Sequence, residues 1–419
     1  MSGSYVLRRV DWVSILVFAL LVGIGWLNIY SSTFSETDTS LLDFSQLYGK
    51  QLMFIGISLV LIIVVMALDA NFYERFSSIF YIISILLLIG LFLFGKTIAG
   101  ATSWYDLGFF NLQPSELAKS ATALALAKYL SDIQTDIKRR KDQWMSLLIF
   151  ILPALLIIPQ PDPGSALVFF ALIFVLFREG LPLWYLAVAF IGILIFITTL
   201  MFGTVWVAIG LALLVAIFYL LKKPSIRLPL LPVLGVYLLT MVISLSVNFV
   251  FENVFEQRHR DRFNILLGKD VDDQGIGYNT AQSVITIGSG GLAGKGFLQG
   301  DRTQGDFVPE QQTDYIFSTV GEEWGFLGSS FVIFLFVAFL IRLLYIADRQ
   351  KSVFSQVFAY ATVAIFFFHF TINIGMVIGI LPTIGIPLPF FSYGGSSLWG
   401  FTVLLFIMIR LDADRIYEW

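Results

Sequence analysis

The residues best suited to chemistry lie where long apolar runs begin, and the first such place is Gln113-Pro114-Ser115-Glu116, with Lys119 one turn later. Residues three positions apart lie on one face of a helix, so Glu116 and Lys119 predict an ion pair. A charge one turn inside an apolar helix is costly and is usually functional. The alternative interpretation is a normal helix start, with Pro and Glu in the first turn and an ion pair that only keeps two charges solvated.

A second acidic position is Asp162, which is flanked by Pro161 and Pro163. It suits a helix N-cap followed by Pro at the first helical position. It also falls on the same predicted side of the chain as Glu116, so capping and a role in the site both stay open. His369 lies in an apolar run and is interpreted as a hydrogen-bonded packing residue rather than a proton carrier.

Charged residues are also concentrated in the stretch that begins near residue 252. Arg258, Arg260 and Arg262 precede an acidic run that contains Asp272. The donor fork of arginine matches a diphosphate well, so a diphosphate site is one interpretation of the three arginines. The other is salt bridging to acids nearby in the sequence, which are Glu252, Glu256 and Asp261. The glycine-rich run 288–296 lacks the residue pattern of a phosphate loop and predicts tight backbone turns.

The amino-acid composition indicates whether water or lipid surrounds the protein. Of its 419 residues, 58% are hydrophobic and 13% are charged, whereas a soluble domain carries about 25% charged residues. So little polar surface predicts that lipid surrounds the protein. The absence of cysteine excludes disulfides, thiolate catalysis and cysteine-ligated metals. The net charge of −3 argues against nucleic acid as a partner.

Helices that cross the membrane must therefore position these groups. A bilayer core needs about 20 apolar residues per helix. Stretches of about that length lie near residues 12–31, 49–68, 77–95, 114–131, 144–160, 164–178, 183–202, 204–221, 229–251, 329–346, 355–380 and 395–410. We expect an all-α polytopic integral membrane protein with about ten to twelve transmembrane helices. A large extracytoplasmic loop, residues 252–328, is predicted between the ninth and tenth spans.

The distribution of basic residues predicts the orientation of the chain. Clusters of Lys and Arg precede the first predicted span and follow the fourth, eighth and tenth. They are Arg8 and Arg9, residues 138–141, Lys222, Lys223 and Arg227, and Arg342, Arg349 and Lys351. The positive-inside rule then predicts that both termini are cytoplasmic. The candidate residues near 113, 162, 252–328 and 381–394 would lie on the outer side.

Several stretches of the sequence resemble the SEDS family (shape, elongation, division and sporulation) of peptidoglycan glycosyltransferases, and its elongation branch in particular. They are GATSWYDLG, LQPSELAK, QPDPGSAL, the block from RFNILLGKDVDDQGIGY through AQSVITIGSGGLAGKG to FVPEQQTDYIF, and NIGMVIGILPTIGIPLPFFSYGGSS. They follow the family order over most of the chain, which favours one SEDS-type domain over residues 1–419. Family members often have Arg before Trp104, where this chain has Ser103. An anion contact from that position is therefore absent.

The resemblance also assigns roles to individual residues. It implies that Asp272 is the catalytic carboxylate, that Glu116 and Lys119 are functionally important, and that Asp162 is the acid of the family's QPD motif. The residues expected to bind the substrate, its diphosphate or an ion are Gln113, Glu116, Lys119, Asp162, Arg258, Arg260, Arg262, Asp314 and Ser392. A divalent cation, Mg²⁺ or Mn²⁺, is a further expectation near Asp272 and Glu116.

The reaction that the resemblance implies is polymerisation of lipid II into β1,4 glycan strands at the outer face of the bacterial cytoplasmic membrane, for cell elongation and shape. The expected partners are lipid II, the growing strand, a class B penicillin-binding protein and other membrane proteins of the elongation complex. A lipid II flippase is the alternative, since many-span proteins with buried charges are also transporters. The notable polar residues gather on one predicted side, which favours the enzyme.

Overall fold

The structure, a computed structural model, describes residues 9–34, 41, 43–98, 100–108, 110–221, 230–253, 257, 260–261, 264 and 276–415. The chain divides into two compact units. The first contains Met1–Leu181 and Asn279–Trp419, and the second contains Pro182–Tyr278.

Helices form most of both units, in the order that the apolar stretches predict. Their bounds are α1 Trp12–Thr33, α2 Leu47–Ala67, α3 Ala70–Phe94, α4 Pro114–Ser131, α5 Arg140–Ile157, α6 Pro163–Phe169, α7 Ile173–Arg178, α8 Trp184–Phe202, α9 Thr204–Leu221, α10 Leu230–Asn253, α11 Ile276–Ser289, α12 Asp301–Gln304, α13 Ile316–Asp348, α14 Val353–Val377 and α15 Gly395–Asp414. A 3₁₀ turn, Phe170–Leu172, joins α6 to α7. Each of the twelve predicted stretches coincides with helix.

Eight of the described helices are long and apolar enough to cross a membrane. They lie in α1, α2, α3, α8, α10, α13, α14 and α15. Two shorter apolar helices occupy Pro163–Arg178 and Thr204–Ile217. Many large apolar side chains on α2, α3 and α8 are exposed on the protein surface, where lipid is the solvent that suits them. The chain is thus a multi-pass membrane protein.

Helix α4 has the environment of an interior helix rather than a peripheral one. It packs against α3, α5, α14 and α15, and most of its residues are buried. Its sequence SATALALA is rich in small side chains, which let neighbouring helices approach closely. Gly400 of α15 shows this contact, because a Cβ there would lie 2.9 Å from the Glu116 carbonyl oxygen. The central position of α4 explains how Glu116 and Lys119 come to be buried.

A small sheet connects α3 to α4, within the segment that the sequence predicts to be a connection between spans. Its strands β1 (Lys96–Ile98), β2 (Ala101–Asp106) and β3 (Asn111–Leu112) are antiparallel in the order β1-β2-β3. The Tyr105 hydroxyl donates to the Leu87 carbonyl at 2.8 Å and fixes β2 to α3. The sheet delivers the chain to the start of α4.

Helices α1 and α13 run antiparallel, and polar contacts between them mark the two ends of the first unit. At one end, the Arg342 Nε of α13 lies 3.2 Å from an Asp11 carboxylate oxygen just before α1. At the other end, the Ser31 hydroxyl of α1 donates to the Glu323 carboxylate of α13. The N-terminus of α13 therefore lies at the end of α1 opposite to Asp11.

Helix α13 begins earlier than the predicted span at 329 and is broken inside. Gly325 has a φ of 66° and a ψ of −161°, a conformation that favours glycine. A Cβ there would lie 2.2 Å from the Gly294 nitrogen, so the close approach also requires glycine. The described part of the predicted loop 252–328 thus contains α11, α12 and the first turns of α13.

The second unit contains α8, α9 and α10, which agrees with the three apolar stretches predicted in 183–251. Polar side chains join these helices in pairs. The hydroxyls of Thr199 and Ser244 lie 2.9 Å apart, and the Asn248 amide donates to the Thr204 hydroxyl at 2.7 Å. Such bonds satisfy polar groups on helices that are otherwise strongly apolar.

Candidate active site

The charged pair predicted at the start of α4 is present and buried. Lys119 Nζ lies 2.8 Å from Glu116 Oε1, and the two side chains are only 2% and 3% exposed. Burying two charges is costly unless they are paired, and the two side chains here are paired and shielded from solvent rather than solvated at a membrane edge. Among the described residues, Glu116 Oε2 has no hydrogen-bond partner although it is buried.

His369 of α14 completes this buried cluster. Its Nε2 lies 3.0 Å from Lys119 Nζ, and its Nδ1 lies 3.2 Å from the Pro387 carbonyl oxygen. The expectation that His369 is hydrogen-bonded and packed agrees with this geometry. Its partner is Lys119, which the sequence singles out for another reason. The contact between the two residues is not predictable from the sequence, because 250 positions separate them.

A second polar cluster forms where the starts of α4 and α6 meet. Asp162 caps α6, since its Oδ1 accepts from the Ser165 backbone nitrogen at 3.0 Å. Its Oδ2 accepts from the Gln113 side-chain amide at 2.9 Å. The Gln113 backbone nitrogen donates to the Ser396 hydroxyl of α15 at 3.0 Å. Asp162 therefore acts as a cap and also contacts the QPSE motif.

Asp314 and Ser392 lie in segments that Asn373 of α14 holds together. The Asn373 side-chain amide donates to the Asp314 carbonyl at 2.9 Å and to the Ile386 carbonyl at 2.7 Å. Ser392 is buried, and its hydroxyl accepts from the Leu388 backbone nitrogen at 2.9 Å. The described bonds of Ser392 thus shape the turn 388–392 itself.

Glu322 is a further buried acid, to which sequence reasoning assigned no role. Its side chain is fully buried, and its oxygens accept from Lys295 Nζ at 2.6 Å, from the Thr303 nitrogen and hydroxyl at 2.7 Å each, and from the Arg302 nitrogen at 3.1 Å. It fastens the glycine-rich run and α12 to α13. The Lys295 and Gly296 nitrogens also donate to the carbonyls of Glu322 and Glu323 at 3.0 and 2.9 Å. Within the run itself, the Gly294 nitrogen donates to the Gly290 carbonyl at 2.9 Å, so a predicted tight turn is present.

Three of the sequence-predicted site residues, Arg258, Arg262 and Asp272, lie outside the described residues. Arg260 is described within the second unit. It donates to the Glu252 carbonyl at 3.0 Å and to the Gln257 side-chain amide oxygen at 2.7 Å. These contacts use no carboxylate. Arg260 also lines a cavity of about 340 Å³ formed by residues of this unit.

Metal-binding capacity is limited in the described part of the chain. No group of three or more His, Asp or Glu side chains with metal-ligand geometry occurs among those residues. Glu116 Oε2 would supply one carboxylate ligand, but the Lys119 ammonium bound to Oε1 opposes a second cation at that position. The described residues alone therefore do not form a divalent site.

Comparison with known proteins gives consistent matches over nearly the whole chain. A family profile described as "Cell cycle protein", covering FtsW, RodA and SpoVE, matches residues 11–417. The chain is 33% identical to the peptidoglycan glycosyltransferase RodA of Treponema pallidum (strain Nichols), over 97% of this chain and 98% of the relative. It is 36% identical to the peptidoglycan glycosyltransferase MrdB of Escherichia coli (strain K12), over 82% of this chain and 80% of the relative.

Solved structures agree with these matches. The fold is similar to a chain from a peptidoglycan synthase complex that coordinates polymerization and crosslinking, with a TM-score of 0.72, 26% identity and coverage of 98% of this chain and 99% of that one. The fold of RodA from Thermus thermophilus is also similar, with a TM-score of 0.62, 24% identity and 97% coverage of both chains. The chain, with its QPSE and QPD motifs joined at the start of α4, belongs to the FtsW/RodA/SpoVE family.

Proposed function

We infer that this protein is a peptidoglycan glycosyltransferase, a multi-pass membrane enzyme that extends glycan strands for cell elongation and shape. The observation that carries this inference is the joined pair of motifs at the start of α4. There the buried Glu116–Lys119 pair lies one turn below Gln113, which binds Asp162. Relatives that match this chain over most of their own length bear the name peptidoglycan glycosyltransferase.

The orientation we propose puts this site at the outer face of the cytoplasmic membrane, with both termini in the cytoplasm. The positive-inside rule supports it. The basic residues 138–141 follow the C-terminus of α4, whereas the site lies at its N-terminus. Arg342 contacts Asp11 at the end of α1 opposite to Ser31 and Glu323.

The proposed substrate is lipid II. The 4-hydroxyl of its GlcNAc attacks C1 of the MurNAc at the lipid-linked end of the growing strand, and undecaprenyl diphosphate leaves with inversion at C1. The new C–O bond forms as the bond to the diphosphate breaks, and the hydroxyl proton passes to a base. We assign that base to Asp272. A positioned base contributes about 10²–10⁴-fold to such a step.

The leaving diphosphate gains negative charge, so cations near it lower the barrier. We assign this role to Arg258, Arg260 and Arg262 and to the positive potential of Lys119. Lys119 is buried beside Glu116, and an electrostatic interaction is stronger where water is excluded. Glu116 holds the ammonium in place. The second carboxylate oxygen of Glu116, which has no hydrogen-bond partner among the described residues, would accept a hydrogen bond from the bound substrate.

A divalent cation, Mg²⁺ or Mn²⁺, remains part of the proposal only in combination with Asp272. Asp272 would help to hold it, and it would neutralise charge on the diphosphate. No step above requires it. Activity that survives exhaustive chelation, measured beside a sample resupplied with Mg²⁺, would remove the metal from the proposal.

A class B penicillin-binding protein is the proposed partner, because a transpeptidase crosslinks the strands that this enzyme extends. The structural relative from a synthase complex that coordinates polymerization and crosslinking supports this partner. Further membrane proteins of the elongation complex would assemble around the pair.

The test uses the purified chain in lipid bilayers, with and without the partner, supplied with lipid II and scored for glycan polymer. Asp272→Ala is expected to abolish polymer while the protein keeps its thermal stability. Asp270→Ala, two positions away in the same acidic run, is the matched control and is expected to retain activity. Polymer formed by Asp272→Ala would exclude this base, and lipid II translocation without polymer would favour the flippase.

A further inference from the structure

The ring of His369 is held by two partners of fixed hydrogen-bonding type. The residue is buried at 1% exposure, and its two nitrogens face the Pro387 carbonyl oxygen at 3.2 Å and the Lys119 ammonium at 3.0 Å. A carbonyl oxygen only accepts hydrogen bonds, and an ammonium only donates them. These two partners together determine where the imidazole proton lies.

Nδ1 must carry the proton, because it faces an acceptor, and Nε2 must present its lone pair, because it faces a donor. A doubly protonated ring would direct an N–H bond at the ammonium, so the geometry requires the neutral form. His369 is therefore a hydrogen-bond acceptor for Lys119. This excludes a role as a proton donor to the site in this arrangement.

The ammonium of Lys119 is consequently held from two helices. Glu116 Oε1 of its own helix α4 accepts at 2.8 Å, and His369 Nε2 of α14 accepts at 3.0 Å. The ring of Phe401 on α15 packs against both side chains, with its centroid 5.0 Å from Lys119 Nζ and 4.7 Å from the centre of the His369 ring. A flexible lysine stem thus ends in a cation with a defined position.

Pro387 connects this cluster to the turn that precedes α15. Its carbonyl fixes the ring through Nδ1, and the same turn contains Leu388 and Ser392, which bond to each other at 2.9 Å. Movement of the turn would rotate the imidazole and change the acceptor offered to Lys119. The position of the Lys119 ammonium therefore depends on this turn through the ring of His369.

We propose that His369 is a positioning residue of the glycosyltransferase, which holds the Lys119 ammonium through the unprotonated Nε2 of a ring oriented by the Pro387 carbonyl. This rests on the proposed function, in which the charge of Lys119 lowers the barrier to diphosphate departure. A residue that only fills space would occupy the same volume in the core, but its effect on activity would not depend on which ring nitrogen accepts a hydrogen bond.

Two substitutions of similar size separate these roles. His369→Gln carries an amide that reaches the place of Nε2 and keeps an acceptor for Lys119. His369→Asn carries an amide near Nδ1 and keeps only the donor to Pro387. We expect kcat of His369→Gln within about threefold of wild type and kcat of His369→Asn lowered by about tenfold or more, as for loss of a hydrogen bond to a charged group. KM should change little in both.

Equal losses of kcat in the two variants, following equal losses of thermal stability, would overturn the proposal. The proposed function is judged separately by whether the wild-type chain forms polymer. If it does not, the glycosyltransferase assignment fails, and the position of the imidazole proton can still be measured.

That measurement is solid-state ¹⁵N NMR of the histidine-labelled chain in lipid bilayers. The chain has two histidines, His259 and His369, so His259→Gln leaves one imidazole to observe. We expect the neutral ring with the proton on Nδ1. Lys119→Met should shift the Nε2 resonance, because its donor is lost, and leave Nδ1 protonated. A proton on Nε2 in the wild-type ring would overturn the proposal.

Discussion

The side-chain amide of Gln113 donates a 2.9 Å hydrogen bond to Asp162, 49 positions further along the chain. Gln113 is the N-cap residue of α4, and Asp162 is the N-cap residue of α6. The bond therefore joins the N-termini of two helices. Helix N-termini carry partial positive charge and favour anions. The Asp162 carboxylate is therefore stabilised at this position, and its charge acts electrostatically on the candidate active site at the start of α4.

Substitutions at Asp162 separate its capping role from the role of its charge. Asn is as good an N-cap as Asp, whereas Ala costs about 1 kcal/mol. We expect Asp162→Asn to keep the wild-type melting temperature and to lower polymerisation at least about tenfold, the loss of roughly 1.4 kcal/mol in the barrier. Asp162→Ala should lose both. Melting curves and polymerisation rates of both variants are the measurement, and full activity in Asp162→Asn would reduce Asp162 to a cap.

The Glu116–Lys119 pair should show strong coupling in stability. Glu116→Gln leaves a buried ammonium with less compensation and is expected to cost about 3–5 kcal/mol. The double variant Glu116→Gln with Lys119→Met removes both charges and should recover much of that stability. It should still be inactive, because the cation is gone. Thermal unfolding of the single and double variants measures the coupling, and additive losses would contradict it.

Lys128 of the same helix supplies the control for that cycle. It pairs with Glu74 at 3.1 Å, with side chains 43% and 39% exposed. Exposed pairs contribute about 0–1 kcal/mol. Lys128→Met should therefore change stability and activity little, although it also removes a lysine from α4.

Substitution by alanine should have opposite effects on stability at two glycines of α1. A Cβ on Gly25 would lie 2.7 Å from the Phe391 Cα, whereas a Cβ on Gly23 would have no neighbour within 4 Å. Gly25→Ala must displace the turn before α15 and should cost about 1–3 kcal/mol. Gly23→Ala should be neutral or stabilise by up to about 1 kcal/mol, because alanine favours helix. Melting temperatures of the two variants test the contact, and equal values would contradict it.

Alkaline pH should weaken the attachment of the glycine-rich run. The hydrogen bond to Glu322 raises the pKa of Lys295 above its ordinary value of 10.5, with a further contribution from Asp301. The stabilisation is therefore complete below pH 10.5 and is lost as pH rises through the pKa in the folded protein. Wild type should lose melting temperature above pH 10.5 more steeply than Lys295→Met. Parallel curves would mean that this lysine does not contribute.

Much of the fold follows from the sequence because apolar length is a strong signal in lipid. All twelve predicted stretches coincide with helix. The start of α13 is placed too late, because Glu322 and Glu323 resemble a polar loop. In the structure both acids are buried, and their carboxylates bind partners that lie far from them in the chain, such as Lys295 and Ser31. Local hydropathy does not register a charge that distant residues satisfy.

The candidate site was predictable only where its contacts lie within one helix. The spacing of Glu116 and Lys119 predicts their pairing, since both lie on one helix face. The contact of Lys119 with His369 depends on how α4 packs against α14, which no local pattern contains. Gln113 and Asp162 each have a plausible local role at a helix start, and only the packing of those helices brings them together.

The break at Gly325 also bears on how the protein adapts to its membrane. Helix α13 has 33 residues, about 50 Å at 1.5 Å per residue, whereas the hydrocarbon core is about 30 Å thick. The part after Gly325 measures roughly 35 Å and matches that core with modest tilt. Gly325 therefore separates a segment whose length suits the bilayer from a short segment whose acids, Glu322 and Glu323, are satisfied by protein partners.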